Sequence, residues 1–227
     1  MSLGFIQAQS ATAASATAVT VNITTSAGSM LVIFTTQRQN NTSTVTMSDS
    51  SGSGTWSQTV SGYISNGTTN RSAMWVKPNS AAVTTITATW VTLTTTIEMI
   101  VFEVSGGVVS SAEDSSVNNT ENAVTTATSG SLTTTNATDI LVMGTGLSGA
   151  FTSPTAGTGY TLPTNGFQTR CIMEYQIVSS TQTGVTAQMS WTNSLNDASV
   201  FAGFKGIATS AAPLWSQLPT SGPSYAI

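Results

Sequence analysis

TIEMIVFEVSG, residues Thr96–Gly106, alternates apolar residues through a strand and ends on glycine. DASVFAGFKG, residues Asp197–Gly206, repeats the plan. Adding 100 to Ile100, Phe102, Val104 and Gly106 gives Val200, Ala202, Phe204 and Gly206. Alternate residues of a strand share a face, so the inward set and its terminal glycine recur in register. Glu98 and Glu103 are five apart and point to opposite faces. Met99 and Val101 give the first copy a second apolar face, which calls for an outer cover. We expect that cover from a tail, a loop or a neighbouring subunit.

The echo extends in both directions. Ser29–Thr35 shifted by 110 reads as Asp139–Thr145, with Ile140, Leu141, Val142 and Met143 over Met30, Leu31, Val32 and Ile33. Arg71 onward overlays Arg170–Val178 at a shift of 99, and Thr84–Trp90 overlays Val185–Trp191 at 101, Trp on Trp. Drifting offsets in a kept order indicate repeats with altered loops. No stretch sustains a 3.6-residue period. The expected fold is all-β: an internally duplicated antiparallel β-sandwich, jelly-roll-like. One sandwich spans 1–209, with repeats at about 17–106 and 123–206; tandem small sandwiches divided near Gly107 are the alternative. Leu3–Gln9 reads as an edge strand, Ala11–Ala18 as a linker of small residues, and Gly107–Ser129 as a polar join. Residues 210–227 read as an extended C-terminal arm. Pro213, Pro219 and Pro223 bar helix, while Leu214, Trp215, Leu218, Tyr225 and Ile227 ask for a surface to dock on.

Composition narrows the function. Of 227 residues only 6% are charged and the net charge is −4. The five basic residues, Arg38, Arg71, Lys77, Arg170 and Lys205, are scattered rather than striped, which speaks against nucleic acid. No apolar run approaches the ~20 residues of a membrane helix, so no membrane partner is expected. Histidine is absent, which removes the commonest general base and metal ligand. MSLGFIQAQSATAA carries neither the basic region nor the apolar run of a secretory leader.

The candidate chemistry is thin. Gly144, Gly146 and Gly149 match G-x-G-x-x-G, but AFTSPTAGTGY follows where a dinucleotide site needs a helix, so a turn is expected. Glu98, Glu103 and Glu174 are the carboxyls a glycosidase would need, yet they read as sheet-end charges facing water or an arginine. Arg170 and Glu174 share a face and predict a surface ion pair. Glu113, Asp114 and Glu121, with Asn118 and Asn119, form an acidic loop whose oxygens suit calcium; the spacing is irregular and matches no EF-hand. Cys171 falls on the inward face with Met173. Trp75 shares the outward parity of Arg71, Ala73 and Lys77. With Trp56 and Tyr63 on a neighbouring segment, it offers a platform on which a sugar ring could stack. No catalytic residue, metal site or cofactor is expected.

The duplicated Thr/Ser/Asn-rich pattern, SDSSGSGTW with its counterpart SPTAGTGY, and TIEMIVFEVSG resemble β-sandwich proteins of tailed-phage virions and bacterial surfaces. The likeness spans about residues 17–206 and is closest to decoration, fibre or minor head and tail proteins. It implies a virion location and a non-enzymatic structural role, with the chain bound to copies of itself and to other virion subunits. The assembly contacts would be Met99, Val101 and the arm residues Leu214, Trp215, Leu218, Tyr225 and Ile227. The alternative is a carbohydrate-binding module or lectin-like adhesin holding a host glycan on Trp75, Trp56 and Tyr63.

Overall fold

The computed structural model describes residues 2–38, 44–68 and 70–207. Among these there is no helix. Twelve strands follow in order: β1 (Gly4–Asn22), β2 (Ser29–Arg38), β3 (Val45–Asp49), β4 (Ser57–Asn66), β5 (Asn70–Ser80), β6 (Thr85–Ser105), β7 (Glu113–Asn119), β8 (Val124–Thr128), β9 (Asp139–Leu147), β10 (Cys171–Val178), β11 (Gln188–Leu195) and β12 (Asp197–Lys205). All their pairings are antiparallel.

The opening stretch is the second half of β6. It lies between β1 and β2 in a sheet ordered β1-β6-β2-β5-β4, and β3 pairs with the first half of the same strand. A second sheet runs β10-β9-β12-β7, and β11 pairs with β8. The neighbours β6-β2-β5 of the first sheet and β12-β9-β10 of the second are built from the stretches that the offsets of 100, 110 and 99 relate.

Three expectations are corrected. Ala11–Ala18 is strand, not linker: β1 pairs with β6 from Gly4 to Asn22. Thr85–Ser105 is one strand of 21 residues rather than two. The pair bends where Ala16 faces Thr94 and Ala18 faces Thr89, close to Ser15 with its positive φ of 48°. The join holds two strands, β7 and β8, which pair through their backbones with β12 and β11.

The bend lets one strand pair serve two layers. One face of the first sheet, bearing Met30, Phe34, Ile100 and Phe102, packs on Ile140, Met173, Val200 and Phe204 of the second. Phe34, Phe102 and Phe204 are fully buried, and each such ring contributes about 2–3 kcal/mol by leaving water. The other face, Leu31, Ile33, Met99 and Val101, is covered by Val19, Val21, Ile86, Ala88 and Trp90 from the folded-over parts of β1 and β6. Leu141, Met143 and Phe201 are covered in the same way by Ala127, Met189 and Trp191. Each half therefore has a core of its own, and a third core lies between the halves.

The glycines of the echo close the fold at one end. Gly106 has φ +67°, and a side chain there would run into the backbone of Ser2 and Leu3. Gly206 lies against the Leu3 side chain, and the Ile207 N–H donates to the Gly106 carbonyl at 2.8 Å.

Candidate functional site

The site grows from the hairpin of β4 and β5. Gln58 pairs with Trp75, and Tyr63 with Ala73. Five residues of β4 thus span two of β5. The odd surplus of three turns Tyr63 onto the face that Gln58 occupies. Residues 59–62 leave the ladder and are caught by β7. The Val60 N–H donates to both Glu113 oxygens at 3.0 Å, and the Ser61 N–H to Ser116 Oγ at 2.8 Å.

This displacement gathers Gln58, Tyr63, Arg71, Ala73 and Trp75 around one cavity of about 260 Å³, with Val45 of β3 on its far side. The Arg71 guanidinium lies 3.7 Å from the Tyr63 ring centroid, within cation–π range. Trp75 is half-buried against the inner core of the first half, and its Nε1–H is buried with no acceptor among the described residues. Trp75 and Arg71 keep one parity but are half-buried rather than exposed, and Tyr63 joins them.

Trp56 lies elsewhere. It lines a neighbouring cleft with Met47 and Asp49, and its Nε1–H donates to Asp49 Oδ2 at 3.1 Å. Lys77, expected outward, is buried and donates to the same oxygen at 2.5 Å. Burial works to raise the Asp49 carboxyl; the hydrogen bonds from Lys77 and Ser51, with the Lys77 charge, outweigh it and hold the carboxyl below its ordinary range. Trp56 therefore buttresses an ion pair and is no part of the Trp75 platform.

The strand carboxyls do not face water. Glu98, Glu103 and Glu174 are all buried. Glu98 accepts the Arg170 N–H at 2.8 Å, and burial raises its pKa. Glu103, on the opposite face, accepts from Gln7 Nε2, the Ser26 N–H and Ser29 Oγ at 2.7, 2.7 and 2.8 Å. Glu174 accepts the Gly157 N–H, and burial pushes it up to about 8. Arg170 turns to the Ser148 carbonyl at 3.0 Å, so the expected surface pair with Glu174 does not form.

The acidic loop is also corrected. Glu113 and Asp114 open β7, and Glu121 follows it. Asp114 accepts from the Thr135 and Asn136 N–H groups, and Glu121 from the Thr128 N–H. Their oxygens are taken by the chain itself. No group of three His, Cys, Asp or Glu placed to hold a metal occurs among the described residues. Gly144 and Gly146 belong to β9, where side chains would overlap Phe34 and Thr36, so these glycines serve close packing of the sheets.

Met99 and Val101 are fully buried, and their cover is the bent β1–β6 pair rather than a tail or a neighbour. The argument from them to assembly falls away. Leu214, Trp215, Leu218, Tyr225 and Ile227 lie outside the described residues. Sequence reasoning did not place Arg71 or Gln58 at a site; the parity that Arg71 shares with Trp75 was the available signal.

No protein-family model and no curated protein matches this chain.

Proposed function

We propose that the chain is a non-enzymatic structural protein of a larger assembly, a surface component of a tailed-phage virion such as a head decoration, fibre or tail protein. One observation carries this reading. The carboxyls that a hydrolase would present in a cleft are buried and engaged by the chain's own donors: Glu98, Glu103, Glu174, Asp139 and Asp197 all lie in the interior. Acidic chemistry here holds layers together. The corresponding strand orders of the two sheets support an internally duplicated, jelly-roll-like build. A surface with few charges suits contact with other subunits, and the apolar residues Leu214, Trp215, Leu218, Tyr225 and Ile227 of the sequence would offer a means of attachment. Solution mass, measured for the full chain and for a chain ending before Pro213, tests the reading. The full chain should form an oligomer that the truncation loses. Identical monomers from both would overturn it.

The cavity favours a second reading, a carbohydrate-binding module using Tyr63 and Trp75. Depletion on insoluble polysaccharide, lost in Trp75→Ala, would support it; Trp56→Ala should leave binding intact.

A further inference from the structure

We propose that Asn165 is a spontaneous modification site: its side-chain amide is lost by attack of the Gly166 nitrogen, and the conversion unties the turn before β10 from β1.

Asn-Gly occurs twice in the chain, at Asn66-Gly67 and Asn165-Gly166. Glycine has no Cβ, so its nitrogen meets little obstruction on the way to the preceding side chain. That nitrogen bonds to the asparagine Cγ, the Cγ–Nδ2 bond breaks, and ammonia leaves with the proton the nitrogen gave up. The product is a cyclic imide. Water then adds to either imide carbonyl, breaks that C–N bond and returns the proton to nitrogen. Opening on one side gives aspartate. Opening on the other gives isoaspartate, with the main chain routed through the side-chain carbon. Water is the co-reactant, and nothing is oxidised or reduced.

The fold separates the two pairs. Asn66 is buried, and its Nδ2 donates to the Glu121 and Asp197 carbonyls at 2.9 Å each. Both bonds must break inside the protein before its Cγ can react. Asn165 is exposed among the described residues, and its Nδ2 makes longer bonds, 3.3 Å to the Ala8 carbonyl and 3.2 Å to Gln9 Oε1. It sits in a turn where the Gly166 N–H donates to the Pro163 carbonyl at 2.8 Å, and that local bond opens before attack. Packing keeps glycine in the pair: a Cβ at Gly166 would lie 2.8 Å from the Met173 carbonyl oxygen.

The turn also rests on β1. Gln168 Nε2 donates to Ser10 Oγ at 2.9 Å, and Ser10 Oγ to the Phe167 carbonyl at 3.4 Å. β1 belongs to the first sheet and the turn leads into β10 of the second, so these bonds close one side of the contact between sheets. Conversion puts a carboxylate, which only accepts, against the Ala8 carbonyl oxygen, and adds a negative charge to a chain that carries −4. The isoaspartate form also lengthens the turn by a main-chain atom.

Ageing of the full chain at mildly alkaline pH, followed by peptide mapping with mass spectrometry, tests this. Asn165 should exchange its amide for an acid and split into aspartate and isoaspartate peptides about tenfold faster than Asn66, the worth of roughly one buried hydrogen bond. Unfolded in urea, both pairs should convert at like rates. Asn165→Gln, whose larger imide ring closes slowly, should leave that peptide unmodified. The converted chain, separated by ion exchange, should denature at lower urea than the parent. Conversion of Asn66 as fast as Asn165 in the folded chain, or none at Asn165 there while the unfolded chain reacts, would overturn the site. Equal denaturation midpoints would overturn the untying.

Discussion

Gly144 stands where β9 meets the first sheet, and any side chain there would overlap the Phe34 ring. Gly144→Ala should lower stability by about 1–3 kcal/mol, the range for overpacking a filled core, read as a fall in the denaturation midpoint. An unchanged midpoint would show that the sheets are not as close as described. Lys77 and Asp49 make the opposite test. Lys77→Met leaves a buried carboxylate without its cation and should cost about 3–5 kcal/mol, whereas pairing it with Asp49→Leu should recover much of the loss. A double variant no better than the single one would contradict this account. Residues of this kind were only partly legible in the sequence. Cys171 was placed inward from parity alone, and it is buried. Lys77 was placed outward by the parity it shares with Trp75, and Glu98 and Glu174 were read as facing water or an arginine, as charges usually do. What overrode that habit was a partner distant in sequence: Asp49 for Lys77, the Arg170 amide for Glu98, the Gly157 amide for Glu174. No period along one strand reveals such partners.

The strands of the second half carry acid groups in an apolar setting. Burial pushes Glu174 up to about 8. Burial, with Glu121 nearby, pushes Asp197 up to about 7, and burial, with Asp114 nearby, pushes Asp139 up to about 6. A carboxyl whose folded value is raised binds its proton more tightly in the folded state. Its contribution is therefore whole below the ordinary values of 3.8 and 4.5 and is lost as pH climbs through 6 to 8. Urea denaturation between pH 4 and 9 should show stability falling across that window, and Glu174→Gln should flatten its upper part. A curve that rises from pH 5 to 8 would refute the assignment. At this scale the central strands were read correctly, since five consecutive residues of β2, from Met30 to Phe34, alternate between two apolar covers. The long pair β1–β6 was broken up, with Leu3–Gln9 read as an edge strand and Ala11–Ala18 as a linker. Alanines and threonines between Ala11 and Thr96 have too little contrast for a period, and only the cross-strand register shows that they continue.

At the scale of the molecule, each half has its own inner core and both depend on the core between them. Separated after Gly107, the first half would bare Met30, Val32, Phe34, Ile100, Phe102 and Val104. The full chain should unfold in one calorimetric transition whose van't Hoff and measured enthalpies agree, and the isolated half should self-associate. Two separate transitions would show that the halves are independent. The all-β antiparallel build was visible in the sequence; the face-to-face stacking of the two central sheets was not, because both faces of a central strand look equally apolar. The closure at Gly106 and Gly206 has a consequence for how the molecule is held. Ser2 and Ile207 leave it side by side, at the Val104 end of β6. Arg71 pairs with Gln37, seven residues along β2 from Met30, which pairs with Val104; at ~3.3 Å per residue that is about 23 Å. Held at Ser2 or at Ile207, the described body would be anchored at one pole and carry Arg71 toward the other.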